Sequence, residues 1–95
     1  MSVVILGGNE RMVRDYKDLC KSYQYSAKVI SKMGGTLKGR VGSPDLLVLF
    51  TDTISHKMMK NAMNEIKGRN TKVARCRSGS LSALRETLEL HRAEA

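Results

Sequence analysis

The apolar positions of this chain fall into short blocks separated by polar, glycine-containing stretches, and the blocks are of two kinds. Val3 to Leu6 is apolar without interruption and stops at Gly7 and Gly8, which predicts a strand buried on both faces, as in a parallel sheet. From Glu10 to Tyr23 the apolar residues Met12, Tyr16, Leu19, Cys20 and Tyr23 recur at helical spacing, with Arg14, Asp15, Lys17, Asp18 and Lys21 on the other side. Asn9 stands where a helix cap belongs. Ala27 to Ile30 predicts a second strand. Residues 31 to 44 interleave Gly34, Gly35, Gly39 and Gly42 with Lys32, Lys38 and Arg40, and read as a loop with one helical turn near Leu37.

Asp45 to Phe50, preceded by Pro44 and uniformly apolar from Leu46 onward, is the strongest strand and belongs mid-sheet. Thr51, Asp52, Thr53 and Ser55 then form a cap-rich cluster before a helix expected from Ser55 to Lys67. Its apolar row, Ile54, Met58, Ala62 and Ile66, is widened by Met59 and Met63. That width exceeds what a small sheet must cover. The excess either packs in the core, with methionine filling irregular gaps, or forms a homodimer contact. Gly68 ends this helix, Thr71 to Ala74 predicts a fourth strand, and Ser78 or Ser80 caps a last helix whose buried stripe is Leu81, Leu84 and Leu88. Alternating strands and helices with right-handed crossovers give one α/β domain over residues 1–95. The expected fold is a small doubly wound, Rossmann- or flavodoxin-like parallel sheet of four strands in the order 2-1-3-4, with helices on both faces.

Composition narrows the setting. Ninety-five residues, 41% of them hydrophobic, suffice for one core and no more. The longest apolar run, Leu46 to Phe50, is far short of the roughly 20 residues a bilayer span requires, and no basic-then-apolar leader opens the chain. A soluble cytoplasmic protein with no membrane partner is expected. Cys20 and Cys76 do not form a CxxC pair or a disulfide framework, so reduced thiols are expected. Seventeen Lys and Arg against nine Asp and Glu leave a net charge of +8, which favours anionic partners. Single-stranded nucleic acid is usually held by basic residues interleaved with stacking aromatics, and Tyr16, Tyr23, Tyr25 and Phe50 do not supply that pattern.

In doubly wound sheets the ligand crevice lies past the carboxyl ends of the strands, where strand order reverses, here between the first and third strands. The turns at residues 7–11, 51–56 and 75–80 should meet there. Each precedes a helix and so offers unpaired backbone N–H groups in a positive field. The candidate ligand-binding residues are Gly8, Asn9, Arg11, Thr51, Ser55, His56, Arg75, Arg77, Ser78 and Ser80. Arg11, Arg75 and Arg77 would neutralise charge, Asn9, Ser55, Ser78 and Ser80 would donate or accept hydrogen bonds, and His56 would orient or polarise. Small and hydroxylated residues also populate such turns for purely conformational reasons, whereas the arginines flanking Cys76 are not required by turn chemistry.

Named motifs are mostly excluded. Gly7-Gly8-Asn9-Glu10-Arg11 lacks the third glycine of a dinucleotide fingerprint, and no P-loop pattern occurs. A receiver domain would need an acidic pair after the first strand, and a cysteine-phosphatase loop would need arginine where Ser82 stands. His56 opens a helix, where a neutral imidazole can donate to a substrate oxygen or ligate a metal, but His91 lacks matching ligand spacing and no metal site is assigned. Cys76, beside arginines and ahead of a helix, is a candidate redox-sensitive thiol, while Cys20 reads as core.

The segments Val3 to Met12, Asp45 to Phe50 with Thr53 to Met58, and Ala74 to Ser78 together resemble a bacterial family, domain of unknown function 2325, over nearly the whole chain. The resemblance implies a bacterial origin and a small parallel α/β fold, and it carries no activity, catalytic residue or cofactor. The residues themselves lead to a small binding module, expected as a homodimer, that holds an anionic, phosphate-bearing ligand at the strand ends with residues 31 to 44 as a lid. One alternative is nucleic-acid binding through Lys28, Lys32, Lys38, Arg40, Lys57, Lys60, Lys67, Arg69 and Lys72. The other is a small enzyme or a redox- or metal-responsive protein using His56 or Cys76.

Overall fold

Leu46 to Phe50 carries no polar side chain and is fully buried, so it takes a place where both faces of the sheet are covered and both edges are paired. The computed structural model describes residues 1–30 and 41–94. In it, β1 (Ser2–Leu6), β2 (Ser26–Ile30), β3 (Leu46–Phe50) and β4 (Lys72–Cys76) form one parallel sheet in the order β2-β1-β3-β4. The expected topology is observed. Strands β1 and β3 are central and, apart from the exposed Ser2 that opens β1, apolar and buried, whereas the edge strands β2 and β4 alternate, leaving Lys28, Lys72 and Arg75 exposed. Charged side chains on a sheet edge discourage pairing with another chain.

Helices cover both faces. Val3, Ile5, Leu46, Val48, Phe50, Ala74 and Cys76 face α1 (Val13–Ser22) and α3 (Leu81–Glu94), where Tyr16, Cys20, Leu84 and Leu88 complete the core. On the opposite side Val4, Leu6, Ile30, Leu47 and Leu49 meet Ala62 and Ile66, from α2 (His56–Glu65) and the turn after it. Ile54, Met59 and Met63 also pack against this second cluster, which accounts for much of the methionine excess within the chain itself. Val41 is buried there too, and the Arg69 guanidinium donates to the Gly42 carbonyl and the Ser43 hydroxyl, tying the approach to β3 to the turn after α2. No helix among the described residues is long and apolar enough to cross a membrane.

Element boundaries differ from the sequence reading at two places that matter for function. The stretch after β1 opens as a 3-10 turn (Glu10–Met12), capped by Asn9 whose Oδ1 accepts from Arg11 N at 2.9 Å, and α1 proper starts only at Val13. Strand β4 runs on to Cys76 instead of stopping at Ala74, because Cys76 stays in register with Phe50 and its carbonyl accepts from Thr51 N at 2.8 Å. Arg75 and Cys76 are therefore strand residues, not turn residues. The helical turn near Leu37, the lid assigned to residues 31–44 and the cations Lys32, Lys38 and Arg40 lie wholly or largely outside the described residues.

Leu84 is fully buried between α3 and the sheet, while Leu90 on the same helix is 63% exposed. Leu84→Ala is expected to lower the unfolding free energy by about 2–5 kcal/mol and Leu90→Ala by about 0.5 kcal/mol or less, read by urea denaturation.

Candidate functional site

The crevice between β1 and β3 is filled by the chain's own side chains. The Thr53 hydroxyl accepts from Gly8 N at 2.7 Å and donates to the Phe50 carbonyl at 3.1 Å, which brings the β3–α2 turn onto the β1–α1 turn. Tyr16 reaches up from α1 with its ring fully buried, tilted against Phe50 at 5.3 Å between centroids. Its hydroxyl accepts from Asn9 N at 3.1 Å and donates to the Gly79 carbonyl in the β4–α3 turn. Gly8 supports this closure with φ at +87°, and a Cβ there would stand 2.9 Å from both Phe50 and Tyr16.

The backbone N–H groups of the turn after β1 are largely paired within the chain. Gly7 N bonds the Ile30 carbonyl, Gly8 N bonds Thr53, Asn9 N bonds Tyr16, and Arg11 N bonds the Asn9 side chain. Thr51 Oγ1 lies 3.4 Å from the Cys76 carbonyl. Ser55 Oγ caps α2 by accepting from Met58 N at 3.2 Å, and Ser80 Oγ caps α3 by accepting from Ala83 N at 3.1 Å. Ser78 Oγ accepts from Ser80 N at 3.3 Å. Thus Ser80, rather than Ser78, caps the last helix, and the Ser55, Ser78 and Ser80 hydroxyl oxygens all accept from backbone N–H groups of their own turns.

The arginines are dispersed as well. Because β4 side chains alternate, Ala74 and Cys76 face α1 and α3 while Val73 and Arg75 lie on the α2 side. Arg75 accordingly shares a hollow of about 530 Å³ with His56, Lys57, Met59, Lys60 and Met63. Arg11 lines a different hollow, along α1, together with Glu10, Val13, Arg14, Lys17 and Asp18. Arg77 is exposed beyond β4, its carbonyl accepting from Asp52 N at 3.3 Å. The expectation that Arg11, His56, Arg75 and Arg77 converge is therefore corrected: of these residues, His56 and Arg75 line one hollow and Arg11 another.

Lys57 and Lys60 were missed as members of this hollow, although a helical wheel would have found them. Residues 56, 59, 60 and 63 fall on one flank of α2 at intervals of three and four, and Lys57 adjoins it three residues before Lys60. The roles of Tyr16 and Thr53 had no comparable sequence signal.

Cys76 does not fit the reactive-thiol reading. It is buried in β4 with Sγ 2.8 Å from Thr87 Oγ1, and burial pushes its thiol above the ordinary range, with the Thr87 hydroxyl opposing in part. Cys20 is core, as expected, and burial pushes its thiol up to about 11. Among the described residues, no group of three or more His, Cys, Asp and Glu side chains is arranged to hold a metal ion.

A family model described as an uncharacterized protein conserved in bacteria, DUF2325, matches residues 2–91. The chain belongs to this family. No curated protein and no solved structure matches it. The DUF2325 match spans every strand of the sheet and all three turns at its carboxyl end, and it brings the bacterial assignment without an activity.

Tyr16→Phe should keep the DUF2325 fold while leaving Asn9 N–H and the Gly79 carbonyl without their partner. A loss of about 1–3 kcal/mol in urea denaturation is expected, with the largest rise in amide exchange in the turns at 7–9 and 78–80. The Cys20 thiol has the opposite dependence on pH from a paired carboxylate. Its raised value favours the folded state fully below the free-thiol value of 9.0, and that contribution is lost as pH rises toward about 11. Between those limits the wild-type chain should lose more stability than Cys20→Ala, measured by denaturation at stepped pH.

Proposed function

We propose that this chain is a small anion-binding module whose site is the hollow between α2 and the β4 edge, displaced from the crevice at the strand ends. The observation that carries the reading is the convergence of Lys57 and Lys60 from α2 with Arg75 from β4 around one hollow, with His56 at its rim and no acidic residue in its lining. Arg75 alone is explained by protection of a sheet edge. That explanation does not reach the lysines, which belong to another element and border the same space.

The contrast with the hollow along α1 supports the choice. There Glu10 and Asp18 stand among Arg11, Arg14 and Lys17, so its field is largely cancelled. The floor of the proposed site is Met59 and Met63, which suits a ligand that presents phosphate oxygens to the cations and an apolar surface to the thioethers. His56 and Arg75 keep the ligand-binding roles read from the sequence, and Lys57 and Lys60 join them. Gly8, Asn9, Thr51, Ser55, Ser78 and Ser80 serve the turns instead.

Nucleoside triphosphates should raise the thermal midpoint of the wild-type chain, by an amount equivalent to about 2.7 kcal/mol at a hundredfold excess over Kd. Lys60→Ala combined with Arg75→Ala should abolish that shift, and Arg11→Ala should retain it. Equal loss in Arg11→Ala, or no shift with any phosphate-bearing ligand, would overturn the reading.

A further inference from the structure

We infer that the phosphates this surface takes are those of duplex DNA, with α2 as the element laid into the major groove. The inference rests on the anion-binding reading above and names its partner. Its basis is the segregation of charge. On α1, Arg14, Lys17 and Lys21 are interleaved with Asp15 and Asp18, and on α3, Arg85 and Arg92 are interleaved with Glu86, Glu89 and Glu94. Residues 51–80, which hold α2, β4 and the turns that flank them, carry seven Lys and Arg against two acids, Asp52 and Glu65, whereas Lys28 lies on β2 and Lys32, Lys38 and Arg40 lie outside the described residues.

On α2 it is ordered. Lys57, Lys60, Asn61, Asn64 and, in the turn that follows, Lys67 are all exposed and recur at intervals of three and four, which places them on one stripe. The stripe itself is made of lysines and asparagines, and Glu65, the acidic residue of α2, is half-buried and borders it four residues after Asn61. Lysines at both ends with asparagines between them match the division of labour in groove recognition, where cations position the protein on phosphates and amide side chains read adenine edges.

Shape agrees with charge. Helix α2 is seated on the core along one side by Ala62, with Met59 and Met63, and Lys57, Lys60, Asn61 and Asn64 are exposed on the other. Its 10 residues span about 15 Å, and a B-form major groove about 12 Å wide admits a helix of that kind. The deep, narrow major groove of A-form RNA does not. Single strands are disfavoured because the aromatic rings lie elsewhere: Tyr16 and Phe50 are buried, and Tyr23 is stacked on Tyr25 with Arg92 over its ring. Arg69, although basic, is engaged in holding residues 42 and 43 and is not part of this surface.

The test is anisotropy titration of the full chain with a short fluorescent DNA duplex over a salt series, alongside the nucleotide thermal shift. Binding should weaken steeply with salt, and Lys57→Ala, Lys60→Ala and Lys67→Ala should each reduce the log–log slope by about 0.9. Asn61→Ala with Asn64→Ala should leave the slope intact and flatten preference among duplex sequences, while Lys17→Ala on α1 should change neither. Nucleotide binding without duplex binding sinks this inference and leaves the anion-binding reading standing. Absence of both sinks both. Duplex binding whose slope responds to Lys17→Ala and not to the α2 lysines also overturns it.

Discussion

The Tyr16 hydroxyl is the contact on which the functional end of this molecule depends. It is the point where α1, the turn after β1 and the turn after β4 meet, accepting from Asn9 N and donating to the Gly79 carbonyl. A buried hydroxyl so used cannot be released without leaving a donor and an acceptor unpaired in a region from which the Tyr16 ring excludes water. Thr53 makes the complementary closure from the β3 side by taking Gly8 N. Together they convert the crevice that a doubly wound sheet offers to ligands into part of the folded framework.

The N–H groups of Gly7, Gly8, Asn9 and Arg11 are paired internally, and the cations that share a hollow without an acidic residue in its lining are Lys57, Lys60 and Arg75, where α2 and the β4 edge adjoin. The edge itself explains Arg75 and Lys72 as guards against strand addition, whereas α2 has no edge to guard. The exposed lysines and asparagines of α2 give that face a positive field. Small-anion and duplex readings share this field and differ in how much of the α2 surface they engage.

The β3 strand shows how far the sequence reaches. Five consecutive apolar residues can be satisfied only where both faces are covered, so its central place, the parallel pairing and the order β2-β1-β3-β4 follow from hydrophobic pattern and crossover handedness. Core positions at Tyr16, Cys20, Leu84 and Leu88 follow equally from helical spacing. The cations were visible as residues too. Their grouping was not, because it turned on β4 extending to Cys76, which sets the side of the sheet that Arg75 faces.

The chain's own pattern of apolar and polar positions thus determined the class of fold, the sheet order, the core and the surplus of positive charge, since all of these depend on local periodicity and on burying apolar surface. Tertiary structure decided which polar groups remain available for a partner. Gly8 N is taken by a hydroxyl 45 residues away and Tyr16 by a carbonyl 63 residues away, and pairings at such separations leave no periodic trace. Whether a glycine-rich turn cradles an anion or is sealed by its own fold depends on those contacts, because a backbone donor can serve its own chain or a ligand but not both.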